Sequence, residues 1–172
     1  MTLSARSPAH PARSRMLWCG LVVAASLGAG ACGSGEATDP AAVWDPCTLP
    51  ARLLGDAGFP AGSARRDVAT ETGWAGCGWS SGEAAVRVLF TTEGSPGEVG
   101  GPEDIRTEVT LGNRTGQRLH TGPADTATTC TVVLPTEDGG LIRVRVDSVP
   151  AEGGACARAE RAATVLEPAL PT

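Results

Sequence analysis

Apolar and polar positions alternate most regularly between residues 130 and 147. Cys130-Thr-Val-Val-Leu134 and Leu141-Ile-Arg-Val-Arg-Val-Asp147 flank the turn-forming Pro135–Gly140, and Ile142, Val144 and Val146 alternate with Arg143, Arg145 and Asp147. A period of two on both sides of a Gly-Gly turn predicts a hairpin with one dry face and one wet face. An earlier hairpin is predicted with a strand over Trp74–Trp79 and a turn over Ser80–Glu83, Val86, Val88 and Phe90 marking the buried face of its second strand. Ile105, Thr107, Val109 and Leu111 alternate as a strand, although Ile105 and Val109 also suit a helical turn. Gly112–Gly116 reads as a turn, Gln117–His120 as a further strand, and residues 93–104 as a turn-rich loop.

At both ends the period changes. Asp45–Gly58 predicts a short helix with Thr48 as N-cap, Pro50 in the first turn, Gly58 as the left-handed stop and Leu49, Leu53 and Leu54 on its apolar face. From Gly154, Cys156, Ala159, Ala163 and Leu166 share a helical face opposite Arg158, Arg161 and Glu167, and Pro168 ends the run. The expected class is α+β: an antiparallel sheet with N-terminal and C-terminal helices packed on it and two disulfides.

None of this pattern precedes residue 44. Residues 1–15 carry Arg6, Arg13 and Arg15 and no acid; the 12 residues Met16–Leu27 are uncharged and largely apolar; Gly28–Ala31 are small. That order describes a secretory signal peptide, and its apolar run falls well short of the ~20 residues a membrane-spanning helix needs. Arg13 and Arg15 are not adjacent, so the general secretory route is expected rather than the twin-arginine one. Ala29-Gly-Ala-Cys32 resembles the bacterial lipobox, with Ala29 where leucine is commoner. The resemblance implies that the Cys32 thiol receives a diacylglycerol and holds the protein on the outer face of the cytoplasmic membrane. The plainer alternative is cleavage after Ala31 and free secretion. The chain divides accordingly into a signal peptide (1–31), a lipidated tether without apolar periodicity (32–43) and one extracytoplasmic domain (44–172).

Composition sharpens this division. Three of the 14 basic residues lie before Cys32 and all 19 acidic residues after it, so the mature chain of 141 residues has a net charge of −8. An acidic domain without a basic stripe argues against nucleic-acid partners. Cys47, Cys77, Cys130 and Cys156 are an even set in an exported chain, a context that favours disulfides. Four cysteines allow three pairings; the most local, Cys47–Cys77 and Cys130–Cys156, is expected, though the residues alone leave the others open. With His120 the one histidine after Cys32 and no C-x-x-C, no metal site and no cofactor are expected.

Gly28–Gly33 spells G-x-G-x-x-G but follows no strand and straddles the cleavage point. Gly78-Trp-Ser-Ser-Gly82 spells the G-x-S-x-G nucleophile elbow, with Asp104 and His120 downstream in hydrolase order. An elbow needs a helix after it, whereas a second strand is expected here, and His120 is expected on the surface at a strand edge. Asn113-Arg-Thr115 is a glycosylation sequon by letter only. Trp44, Trp74 and Trp79 could contact a sugar or acyl chain, or pack around the Cys47–Cys77 bridge.

Asp45-Pro-Cys47, Cys77-Gly-Trp79, Cys130 on a late strand and Cys156 opening a C-terminal helix together resemble one family. They are similar to actinobacterial lipoproteins with the domain of unknown function three-five-five-eight, over about residues 44–168. One departure is Gly154-Ala155, where the family often has Asp-Pro. The family implies a lipid-anchored envelope protein and brings no catalytic residues to carry over. The expected function is a non-catalytic binding or accessory module, held by lipidated Cys32, whose partner is an envelope lipid, a glycan or a membrane protein. The alternatives are a small serine esterase using Ser80 and a passive surface or wall spacer.

Overall fold

In the computed structural model, residues 43–149 and 154–172 are described; the signal segment, Cys32 and the tether up to residue 42 lie outside them. Among the described residues, seven strands form one antiparallel sheet. They are β1 (Arg65–Arg66), β2 (Ala75–Ser80), β3 (Ala84–Thr91), β4 (Ile105–Leu111), β5 (Arg114–His120), β6 (Thr129–Pro135) and β7 (Leu141–Ser148). Their spatial order is β1-β2-β3-β7-β6-β5-β4. Both expected hairpins are present, and Ile105–Leu111 is a strand rather than a helical turn.

The register explains the alternation. Val86, Val88 and Phe90 of β3 lie opposite Val146, Val144 and Ile142 of β7, and Cys130, Val132 and Leu134 of β6 continue the same rows. All nine are buried in one core. The helix α2 (Ala155–Leu166) covers this face with Ala155, Cys156, Ala159, Ala162, Ala163 and Leu166. Small residues on the inner face of α2 let its backbone lie close to the strands. Gly154 at its N-terminus shows why a larger residue is missing there. A Cβ at this position would stand 2.8 Å from the carbonyl oxygens of Ala124 and Asp125.

The amino-terminal segment departs from expectation. Thr48 caps no α-helix; it ends a 3-10 turn, Pro46–Thr48, capped by the Asp45 carboxylate accepting from the Cys47 N–H at 2.8 Å. Pro50 forces Leu49 into an extended conformation (ψ 134°), so helix can begin only beyond it. The helix that follows, α1 (Ala51–Asp56), has six residues and no side-chain cap, and it rests on α2 rather than on a strand. Two helices on the sheet thus reduce to one. Disulfides join Cys47 to Cys77 in β2 and Cys130 in β6 to Cys156 in α2.

One connection decides where a site can form. β3 ends beside Leu141 of β7, yet β4 begins beside His120 at the opposite edge of the sheet. The intervening segment must pass three strands, four inter-strand spacings or about 19 Å at 4.8 Å each. Its Val99 packs with Leu119, Val133 and Leu141, so it crosses the sheet face opposite α2. A second segment, residues 67–74, lies over β2 on that same face, against Gly76 and Gly78.

Candidate functional site

The two crossing segments stand on the face that alternation marks as wet, and between them they enclose a cleft of about 680 Å³. Residues 68–71 and Trp74 form one wall; Glu98, Gly100 and Asp104 form the other. The floor is the polar set of the strands, chiefly Arg87 of β3, Arg143 and Arg145 of β7, and Thr129 and Thr131 of β6, with Leu89 and Leu119 beside them. The wall over β2, with Leu89 of the neighbouring strand, leaves little room for side chains at Gly76 and Gly78. A Cβ at residue 76 would meet Leu89 Cδ2 at 2.5 Å and the Ala69 amide nitrogen at 3.2 Å; one at residue 78 would meet Val68 Cγ1 at 3.2 Å.

Each floor arginine is held differently. Arg143 donates twice to Glu71, at 2.9 and 2.6 Å, and its guanidinium lies 3.8 Å from the centre of the Trp74 ring. Only 14% of its side chain is exposed, so it is committed to bracing the wall. The Arg143 hydrogen bond holds the Glu71 carboxyl below its ordinary range, and burial opposes it. Arg87 and Arg145 sit directly opposite each other across β3 and β7. Like charges in that position repel, and Asp147 offsets the repulsion. Its carboxylate lies 3.2 Å from Arg87 Nη2, accepts from Arg145 Nη2 at 3.1 Å, and accepts from the Thr129 hydroxyl at 2.8 Å. Burial pushes the Asp147 carboxyl up, but the Arg145 and Thr129 hydrogen bonds and the charges of Arg145 and Arg87 together hold it below its usual value.

Of the residues singled out from sequence, Trp74, Asp104 and His120 line the cleft, and the others lie elsewhere. Trp79 is buried, and Trp44 meets Phe90 edge-on at 5.6 Å; both belong to the core that contains the Cys47–Cys77 bridge. Of these tryptophans Trp74 alone lines the cleft, on the other face, so the three make no common surface. Ser80 ends β2, exposed, and a turn and β3 follow it rather than a helix. Its N–H donates to Ser63 Oγ. His120 ends β5, four strands away (about 19 Å). Asp104 is engaged by the Gly101 N–H and the Thr121 hydroxyl. Ser80, Asp104 and His120 therefore form no hydrogen-bonded relay. The expectation of a surface His120 is also corrected. Because β4 pairs outside β5, His120 is interior, 5% exposed, and donates through Nδ1 to the Gly122 carbonyl at 2.9 Å. Sequence reading named Trp74 as a candidate ligand contact, and Asp104 only as a hydrolase partner, but missed Arg87, the Arg145–Asp147 pair as a site and the rest of both walls; the signal for one wall was present in the alternating Gly76 and Gly78, since glycine inside a strand marks close backbone approach.

A family model described as "Protein of unknown function (DUF3558)" matches residues 5–169. No curated protein and no solved structure matches the chain.

Proposed function

We propose that this chain, which belongs to the DUF3558 family, is a non-catalytic binding module of the cell envelope, lipidated at Cys32 and displayed on the outer face of the cytoplasmic membrane. Its ligand site is the cleft on the sheet face opposite α2. The observation that carries this reading is the state of the cleft floor. A solvated sheet face needs no cover, yet here two connecting segments stand over it, one carrying a 3-10 turn at Pro96–Glu98 and the other braced by an Arg143–Glu71 ion pair stacked on Trp74. A volume of about 680 Å³ suits a small organic ligand. Ser80 lacks the partners that hydrolysis would require, so binding rather than turnover is the activity proposed.

The lipobox resemblance and the basic, uncharged and small stretches before Cys32 support the anchor and the compartment. The test uses the mature lipoprotein extracted from its own membrane and held in uncharged micelles. On addition of an envelope extract, the Trp74 indole and the amides of residues 68–71 should respond in NMR spectra while the Trp79 indole stays still. Silence at the cleft, with a native mass equal to the diacylated chain alone, would end the reading.

A further inference from the structure

We infer that the cleft recognises a phosphodiester anion through the Arg87–Arg145 pair, an inference that rests on the cleft being the binding site proposed above. Of the arginines at the cleft, Arg143 gives both terminal nitrogens to Glu71 and stacks on Trp74, its Nε being buried without a partner among the described residues, and Arg106 donates to the Val99 and Pro96 carbonyls. Arg87 and Arg145 differ. Asp147 takes one nitrogen of Arg87 and one edge, Nε and Nη2, of Arg145. Their remaining N–H groups make no hydrogen bond to the described residues, and the side chains are 41% and 42% exposed to the cleft.

Charge sets the valence of the ligand. Two guanidinium groups sharing Asp147 leave a local charge of +1 on the floor, Glu71 is neutralised by Arg143, and Glu98 and Asp104 stand on the facing wall. One negative charge is matched, and a second would face Asp147, Glu98 and Asp104. A phosphate monoester, close to doubly charged, fits worse than a phosphodiester. Thr131, opposite Arg145 across β6 and β7, adds a hydroxyl donor to the guanidinium edges. A phosphodiester carries its charge on two oxygens, as a carboxylate does, but it is tetrahedral and its two ester oxygens accept as well, which suits donors arriving from two guanidinium groups and a hydroxyl. The cleft is far larger than the anion itself, and Val68, Leu89 and Leu119 give its remainder apolar surface. The ligand is therefore an organic phosphodiester, carried by a membrane phospholipid or by a soluble molecule of the same chemistry.

The experiment titrates the micelle-held mature lipoprotein with glycerophosphoglycerol, with dihexanoyl phosphatidylglycerol and with acetate, following the arginine Nε–H resonances. Arg87 and Arg145 should shift with the phosphodiesters and stay still with acetate. A response to glycerophosphoglycerol supports the inference for any source, and a response only to the acylated probe supports it with a membrane lipid as the source. Arg87→Gln and Arg145→Gln should each weaken binding about tenfold or more, with the Trp74 indole position unchanged as a check on folding. Equal response to acetate, or unchanged affinity in both variants, would overturn it. If the cleft amides answer to envelope extract but neither arginine answers to a phosphodiester, this inference falls while the binding module stands. No response at the cleft to any addition sinks both.

Discussion

Replacing Asp147 by asparagine tests the electrostatics of the cleft floor most directly. Asparagine keeps the shape and one acceptor oxygen for the Thr129 hydroxyl but removes the charge shared by Arg87 and Arg145. Both ion pairs are part-exposed, with 28% exposure at the aspartate and 41–42% at the arginines. Each is therefore worth about 0.5 kcal/mol, toward the middle of the range for such pairs. The repulsion between the two guanidinium groups facing each other across β3 and β7 is present with or without Asp147 and cancels in this difference. Allowing about 0.5 kcal/mol for weakened charge-assisted hydrogen bonds, the loss should be about 1.5 kcal/mol.

The cycle with Arg87→Gln gives a sign that a merely structural role for Asp147 would not produce. Alone, Arg87→Gln removes one favourable pair and the repulsion with Arg145 together, each about 0.5 kcal/mol, and should be near neutral. In the Asp147→Asn background the same change relieves repulsion and should stabilise. Urea unfolding of the four proteins measures this. The pH dependence follows from the lowered Asp147 carboxyl. A depressed acid contributes stability that is fully present above its unfolded value, about 3.9, and is lost as pH falls through the lower folded value. The gap between wild type and Asp147→Asn should thus be constant above about pH 5 and narrow below pH 4. Glu71, lowered by its Arg143 hydrogen bond, titrates in the same acid window in both proteins and cancels in the difference. Additive single effects, or a gap that persists unchanged to pH 2, would refute the shared-counterion account.

Three further outcomes are expected. Cys130→Ala with Cys156→Ala opens a loop of 26 residues' separation and should cost about 3.5 kcal/mol by chain entropy, with a larger urea m-value because the unfolded chain expands. Gly76→Ala pushes a methyl against Leu89 and the Ala69 backbone; it should destabilise by about 1–3 kcal/mol and displace the amide resonances of residues 68–71 while leaving α2 unaffected. Cys32→Ser should release the protein from the membrane fraction into the medium, and an equal membrane-bound amount by quantitative blotting would reject the anchor.

Much of the sheet was legible because its dry face is made of strict alternation. Val86, Val88 and Phe90 opposite Val146, Val144 and Ile142 admit one register, since a slip of one residue would turn every one of them to water. The alanine face of α2 was legible for the same reason at a period of 3.6. The start of α1 was not, because Thr48 and Pro50 are both good helix-start residues and only the tertiary structure chooses between them. Asp45 takes the nearer amide, Cys47 is fixed to β2, and Pro50 is left to begin a helix unaided. β1 was invisible because two residues carry no period, and His120 was misplaced because alternation tells a face of a strand but not its rank in the sheet.

The cleft escaped for a deeper reason. Arg143, Arg145 and Asp147 at alternate positions read as a face turned to water, and so does Arg87 in its strand. The same letters also describe a polar floor beneath a roof, because period-two patterning reports only that a face is not apolar. What separates the two is whether another segment covers the face, and the segments that do so here are aperiodic. Coverage leaves its trace on the strand beneath it instead. Gly76 and Gly78 occupy the cleft face of β2 while Cys77 and Trp79 occupy the core face. Glycine twice on one face of a six-residue strand is expensive unless something must approach. Read with the charged alternation of β7, those two glycines place a covering segment beside a row of arginines. It is Arg143, against Glu71 and Trp74, that ties that segment to the row, while Arg87 and Arg145 stay open to the cleft.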